Sequence, residues 1–148
     1  MGEKSRNFGG ILNVTGPVQV LDGSTVTGNS SSGNSLPTGN LGGGIAEMDG
    51  NVTISDSDSQ VSNNKTPGMY CGGIVSLLGS ATVTDGSQVD GNTNNGPGGG
   101  IAANFGGPVT ISNGSQVDGN TGAGLGGGIV NFALDCGVTV IGGQPGRQ

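Results

Sequence analysis

The chain has 148 residues, of which 30% are hydrophobic, 3% aromatic and 9% charged, with a formal net charge of −6. So thin an apolar inventory argues against a two-layer globular core, and the four basic residues, Lys4, Arg6, Lys65 and Arg147, offer no patch for nucleic acid or an anionic membrane surface. The 35 glycines would suit a disordered low-complexity chain, but Val and Ile recur at fixed places and point to order.

In chain order, the first element is Phe8-Gly-Gly-Ile11, followed by the alternating Val18-Gln-Val20 and then Ser24-Thr-Val-Thr-Gly-Asn29. Apolar–polar–apolar alternation has the period of a strand, and Gly-Asn closes a turn. Residues 30–41 form a long loop, after which the glycine mark returns as Gly42-Gly-Gly-Ile45, Cys71-Gly-Gly-Ile74, Gly98-Gly-Gly-Ile101 and Gly126-Gly-Gly-Ile129, so the repeat is 27 to 34 residues long. That is the spacing of a solenoid. The second mark returns as Val52-Thr-Ile54, Ala81-Thr-Val83, Val109-Thr-Ile111 and Val138-Thr-Val140, and the third as Ser59 to Asn64, Ser87 to Asn92 and Ser115 to Asn120.

The predicted fold is all-β: a right-handed parallel β-helix of about five coils, each of three short strands, occupying residues 8–143 between tails at 1–7 and 144–148. No strand is long enough to stand alone, so stability comes from stacking each on its copies. Strand parity predicts inner columns at Ile11, Ile45, Ile74, Ile101 and Ile129, at Val26, Val61, Val89 and Val117, and at both apolar positions of the second mark. Asn29, Asn64, Asn92 and Asn120 are predicted to stack as an amide ladder. The paired glycines are expected to serve a tight corner and not a phosphate cradle, because no basic residue accompanies them.

The GGGI, VTIS and GSQVDGN marks in register resemble the repeats of bacterial polymorphic outer membrane proteins and related adhesin-like β-helix passengers, over essentially residues 8–143. The resemblance implies an extracellular or cell-surface location and an adhesive role; together with the repeat itself this predicts a noncatalytic structural or adhesive module, whose expected partners are self, a larger parent chain, or a cell-surface glycan or protein.

Four features bear on function. The outward neighbours of the isoleucines, Leu12, Ala46, Val75, Ala102 and Val130, form a small apolar face that is a candidate interface for lateral packing on another copy, another domain or an ordered surface, and open parallel edges are expected to allow end-to-end stacking into filaments. Thr53, Thr82, Thr110 and Thr139 form an outward file, which raises ice binding as an alternative. Asp22, Asp56 and Asp85 recur at one turn with Asn113, and Asp90 and Asp118 at another; without a calcium-binding nonapeptide they read as solvated turn carboxylates. Loop 30–41 and Tyr70 are candidate contacts on the variable edge.

A polysaccharide-binding or polysaccharide-active β-helix is the other alternative, but catalysis there would need clustered carboxylates with a neighbouring cation, and the cations are dispersed. No enzymatic activity, cofactor or metal is expected. With no histidine, and with Cys71 and Cys136 at unequal places in the repeat, neither zinc binding nor a disulfide is expected. No apolar run approaches the ~20 residues of a membrane span, and residues 1–10 lack the apolar stretch of a secretion signal. Asn13, Asn29, Asn51, Asn64 and Asn113 each begin an Asn-x-Ser/Thr triplet, a pattern common in chains rich in these residues and meaningful only in a glycosylating pathway.

Overall fold

A computed structural model describes residues 4–5, 9–31, 41–68 and 70–142, which contain strands and turns and no helix. The strands are β1 (Lys4–Ser5), β2 (Ile11–Asn13), β3 (Val18–Val20), β4 (Thr25–Thr27) and β5 (Ser30–Ser31); β6 (Ile45–Glu47), β7 (Val52–Ile54), β8 (Gln60–Ser62) and β9 (Lys65–Thr66); β10 (Ile74–Ser76), β11 (Ala81–Val83), β12 (Gln88–Asp90) and β13 (Thr93–Asn94); β14 (Ile101–Ala103), β15 (Val109–Ile111), β16 (Gln116–Asp118) and β17 (Thr121–Gly122); then β18 (Ile129–Asn131) and β19 (Val138–Val140).

Among the described residues, each strand pairs only with its copies in neighbouring repeats. The first sheet is β2-β6-β10-β14-β18, the second β3-β7-β11-β15-β19, the third β4-β8-β12-β16 and the fourth β1-β5-β9-β13-β17. Every pairing is parallel, and Ile11, Ile45, Ile74, Ile101 and Ile129 fall in one register. The chain is a parallel β-solenoid.

Stacking places the apolar side chains of three sheets in one interior. Ile45, Ile74, Ile101, Val61 and Val89 are fully buried there together with Val52, Ile54, Ala81, Val83 and Val109. The columns weaken toward their ends. Ile11, Val138 and Val140, expected inside, are 37%, 44% and 69% exposed, and Ile129, Val26 and Val117 are only partly buried against the core. A residue in the first or last described rung is covered from one side only, so its place in the column does not bury it.

The fourth sheet departs from the three-strand expectation. Its two-residue strands lie where the sequence suggests only a loop after the asparagine corner, and they carry Ser31, Thr66 and Asn94 buried, with Ser31 Oγ 2.6 Å from Thr66 Oγ1. Without an apolar alternation they leave no hydrophobic signature. Lys4–Ser5, assigned from sequence to the N-terminal tail, pairs in this sheet with Ser30–Ser31. The rest of that tail, the predicted C-terminal tail and most of loop 30–41 lie outside the described residues.

Candidate functional site

The paired glycines are explained by what crosses them. A Cβ on Gly44 would lie 2.7 Å from Gly73 O and 2.8 Å from Asn64 Nδ2, and one on Gly100 would lie 2.6 Å from Gly128 O and 2.8 Å from Asn120 Nδ2. From the second repeat onward the preceding glycine of the pair faces the fourth sheet: a Cβ on Gly72 would come 2.7 Å from Thr93 N. The mark is therefore a packing surface for the ladder asparagines on one side and the fourth strand on the other.

The asparagines form a continuous hydrogen-bonded file. Asn29 Nδ2 donates to Asn64 Oδ1, Asn64 Nδ2 to Asn92 Oδ1 and Asn92 Nδ2 to Asn120 Oδ1, each at 3.0 Å. Each of these oxygens also accepts the backbone N–H of the preceding asparagine, and Asn64, Asn92 and Asn120 direct their other amide proton to Val26 O, Val61 O and Val89 O. Asn64 and Asn92 are fully buried; the file belongs to the scaffold.

The candidate interface face is mostly inside the molecule. Ala46, Val75, Ala102 and Val130 are 2%, 0%, 1% and 8% exposed, and only Leu12, at 41%, reaches solvent. The residue before each glycine pair folds over this column: a Cβ on Gly98 would lie 3.5 Å from Ala102 Cβ and 3.6 Å from Cys71 Sγ. Cys71, Val75 and Ala102 form a second small core with Tyr70 and Leu77 packed against it. The small apolar residues are thus interior to a second lobe, closed by the fourth sheet and its loops. Tyr70 is half-buried there, its carbonyl accepting Asn94 Nδ2 at 2.9 Å.

The threonine file does face outward. Gln19, Thr53, Thr82, Thr110 and Thr139 are aligned across the second sheet, half-buried in the middle and exposed at either end. On the third sheet Gln60, Gln88 and Gln116 form a similar file, with Asp90 beside Asp118. One carboxylate oxygen of Asp90 is buried without a hydrogen-bond partner.

At the corner between the second and third sheets, Asp22, Asp56, Asp85 and Asn113 all have positive φ, at 56°, 82°, 59° and 52°. Asp and Asn tolerate this conformation better than most side chains. The column is linked as well as stacked: Asp22 N donates to Asp56 Oδ2, and Asp85 accepts from Asn113 Nδ2 at 2.8 Å and Ser55 Oγ at 3.0 Å. Asn113, then Ser55, hold the Asp85 carboxyl below its ordinary pKa. No group of three or more metal-ligating side chains occurs among the described residues.

Two features escape the sequence reading. Glu47 is fully buried at the end of β6, its Oε2 accepting Asn13 Nδ2 at 2.7 Å and its Oε1 accepting Asp49 N at 3.0 Å. Its parity with Ile45 places it inward, but a carboxylate at that parity is normally read as exposed. The other is a half-open cleft of about 480 Å³ lined by Phe105, Phe132, Leu134, Asp135 and Cys136. The turn between the first and second sheets lengthens here, from 77–80 to 104–108 and 132–137. Cys71 and Cys136 are free thiols, and burial pushes Cys71 up to about 12.

The chain matches no family model, no curated protein and no solved structure.

Proposed function

We propose that the chain is a noncatalytic structural or adhesive module of an extracellular or cell-surface protein, a right-handed β-helix of about five coils whose outer faces engage self, a larger parent chain, or a cell-surface glycan or protein. The observation that carries this is the regular outer surface: side chains repeat along the second and third sheets at the strand spacing of about 4.8 Å, as in Thr53, Thr82 and Thr110 or Gln60, Gln88 and Gln116. A periodic face suits a periodic partner. The polar groups held most tightly, the ladder amides and Glu47, are engaged within the scaffold.

The self-association reading is supported by exposed apolar side chains: Ile11, Leu12 and Val14 in the first sheet's β2 and the turn after it, and Val138, Val140 and Ile141 in and just after β19. Electron microscopy and concentration-dependent light scattering test it; rods lengthening with concentration are expected, and particles of one size at every concentration would refute the stacking.

The aligned threonines favour one second reading, ice binding. Thermal hysteresis that disappears in Thr82→Tyr would support it, and no hysteresis in the parent protein would dismiss it.

A further inference from the structure

We propose that Asn51 is the acceptor for N-linked glycan on this protein, and that the other four Asn-x-Ser/Thr triplets are spent on the fold. The inference rests on the extracellular reading above, since only an exported chain meets the machinery for this modification.

An asparagine amide has two N–H donors, and the folded chain uses them unequally. Asn64 Nδ2 donates to Val26 O and Asn92 Oδ1 in a fully buried site. Asn13 Nδ2 donates to Gly16 O and to the buried Glu47 carboxylate, both at 2.7 Å. Asn113 Nδ2 donates to Thr84 Oγ1 and Asp85 Oδ1. Asn29 Nδ2 donates to Asn64 Oδ1 and packs against Gly10, where even a Cβ would come within 2.8 Å of it. A sugar on any of these nitrogens removes a hydrogen bond or demands space that is filled.

Asn51 is the exception. Its Oδ1 accepts Ser80 N and Ser80 Oγ, both at 2.9 Å. A backbone N–H can only donate, so this contact fixes which end of the amide faces the protein. Nδ2, the opposite end of the amide, makes no hydrogen bond among the described residues, and Asn51 is exposed between β6 and β7. Thr53, the third member of the triplet, lies on the outward file, half-exposed. Asn51 also stands alone among the five in having a carboxylate two residues before it, the exposed Asp49. A transferase with a cationic subsite at that position would select this triplet.

The transfer joins Asn51 Nδ2 to the anomeric carbon of a lipid-pyrophosphate-linked oligosaccharide. That carbon's bond to phosphate oxygen breaks, and the amide gives up one proton as the lipid pyrophosphate leaves. The remaining N–H and the Oδ1 contacts with Ser80 are kept.

The test is transfer onto folded, purified protein by a single-subunit oligosaccharyl transferase, with sites mapped by peptide mass spectrometry and a synthetic peptide of residues 47–55 as control. Glycan on Asn51 alone is expected, abolished in Asn51→Gln and severalfold lower in Asp49→Asn, with the circular dichroism spectrum unchanged. Glycan on Asn13, Asn29, Asn64 or Asn113 of the folded protein would overturn the assignment, as would a bare Asn51, whether or not the peptide is modified. Fractionation of source cells tests the extracellular reading separately, because the purified reaction does not depend on it.

Discussion

At the scale of single residues, the ladder concentrates consequence in a few amides. Asn92 makes and receives bonds that satisfy Asn64 N, Asn64 Nδ2, Asn120 Oδ1 and Val61 O. Asn92→Ala takes the acceptor from Asn64 N and removes one bond each from Asn64 Nδ2, Asn120 Oδ1 and Val61 O, while Asn64 Nδ2 keeps Val26 O and Asn120 Oδ1 keeps the backbone N–H of residue 92; an unsatisfied buried group costs about 1–3 kcal/mol, so a loss of about 2–3 kcal/mol is expected in urea unfolding followed by circular dichroism. Glycine substitutions should separate steric from conformational roles. Gly100→Ala drives a methyl toward Gly128 O and Asn120 Nδ2, whereas Gly114→Ala meets nothing within 4 Å and bears only the strain of φ at 76°. The first should match the ladder mutant in severity, and the second should cost about 1–2 kcal/mol.

The two thiols differ in the same local way. Burial favours the neutral form of Cys71 and raises its pKa from 9.0 to about 12. The unfolded chain therefore ionises first on alkaline titration, and the native state, which holds the proton longer, loses stability as pH rises between 9 and 12 by up to about 1.4 kcal/mol per unit. Cys71→Ala should remove that slope. In native protein an aromatic disulfide reagent should titrate Cys136 and reach Cys71 only after unfolding.

At the scale of elements, strands of two or three residues derive their stability from the rungs above and below. Ile74→Ala, within a fully buried column, should cost about 2–5 kcal/mol, and Ile11→Ala, at a residue 37% exposed, no more than about 1 kcal/mol; equal losses would contradict stack-dependent burial. The three sheets of three-residue strands were legible because their residues obey strand parity, with Val52-Thr-Ile54 as the plain case. The fourth was not, because Lys65–Thr66 and Thr93–Asn94 hold their place by backbone pairing and hydroxyl or amide contacts. Parity likewise placed Ala46, Val75 and Ala102 outward from the main core, which they are. It could not reveal that the chain later returns to cover them, because that depends on the residue preceding each glycine pair.

At the scale of the whole molecule, repeats that touch only their neighbours make stability a property of position. Hydrogen exchange should show the greatest protection in β10 to β13 and the least in β2 to β4 and β18 to β19; uniform protection would mean that the stack opens as a single unit. The uneven turns impose a polarity on the surface. The corner bearing Leu78, Phe105, Phe132 and Leu134 is exposed and apolar, while the sheet carrying Lys65 and Thr93 presents charge and hydroxyls.

The exclusively neighbour-to-neighbour pairing of the sheets also carries a mechanical consequence. A pull on one end along the axis loads the outermost rung before those beneath it, so hydrogen bonds part a few at a time, as in opening a zipper, and not all together as in shear. Extension by optical tweezers should give a train of small, similar force drops, each releasing one repeat's contour length, and slackening the tether should let the rungs close again in reverse order.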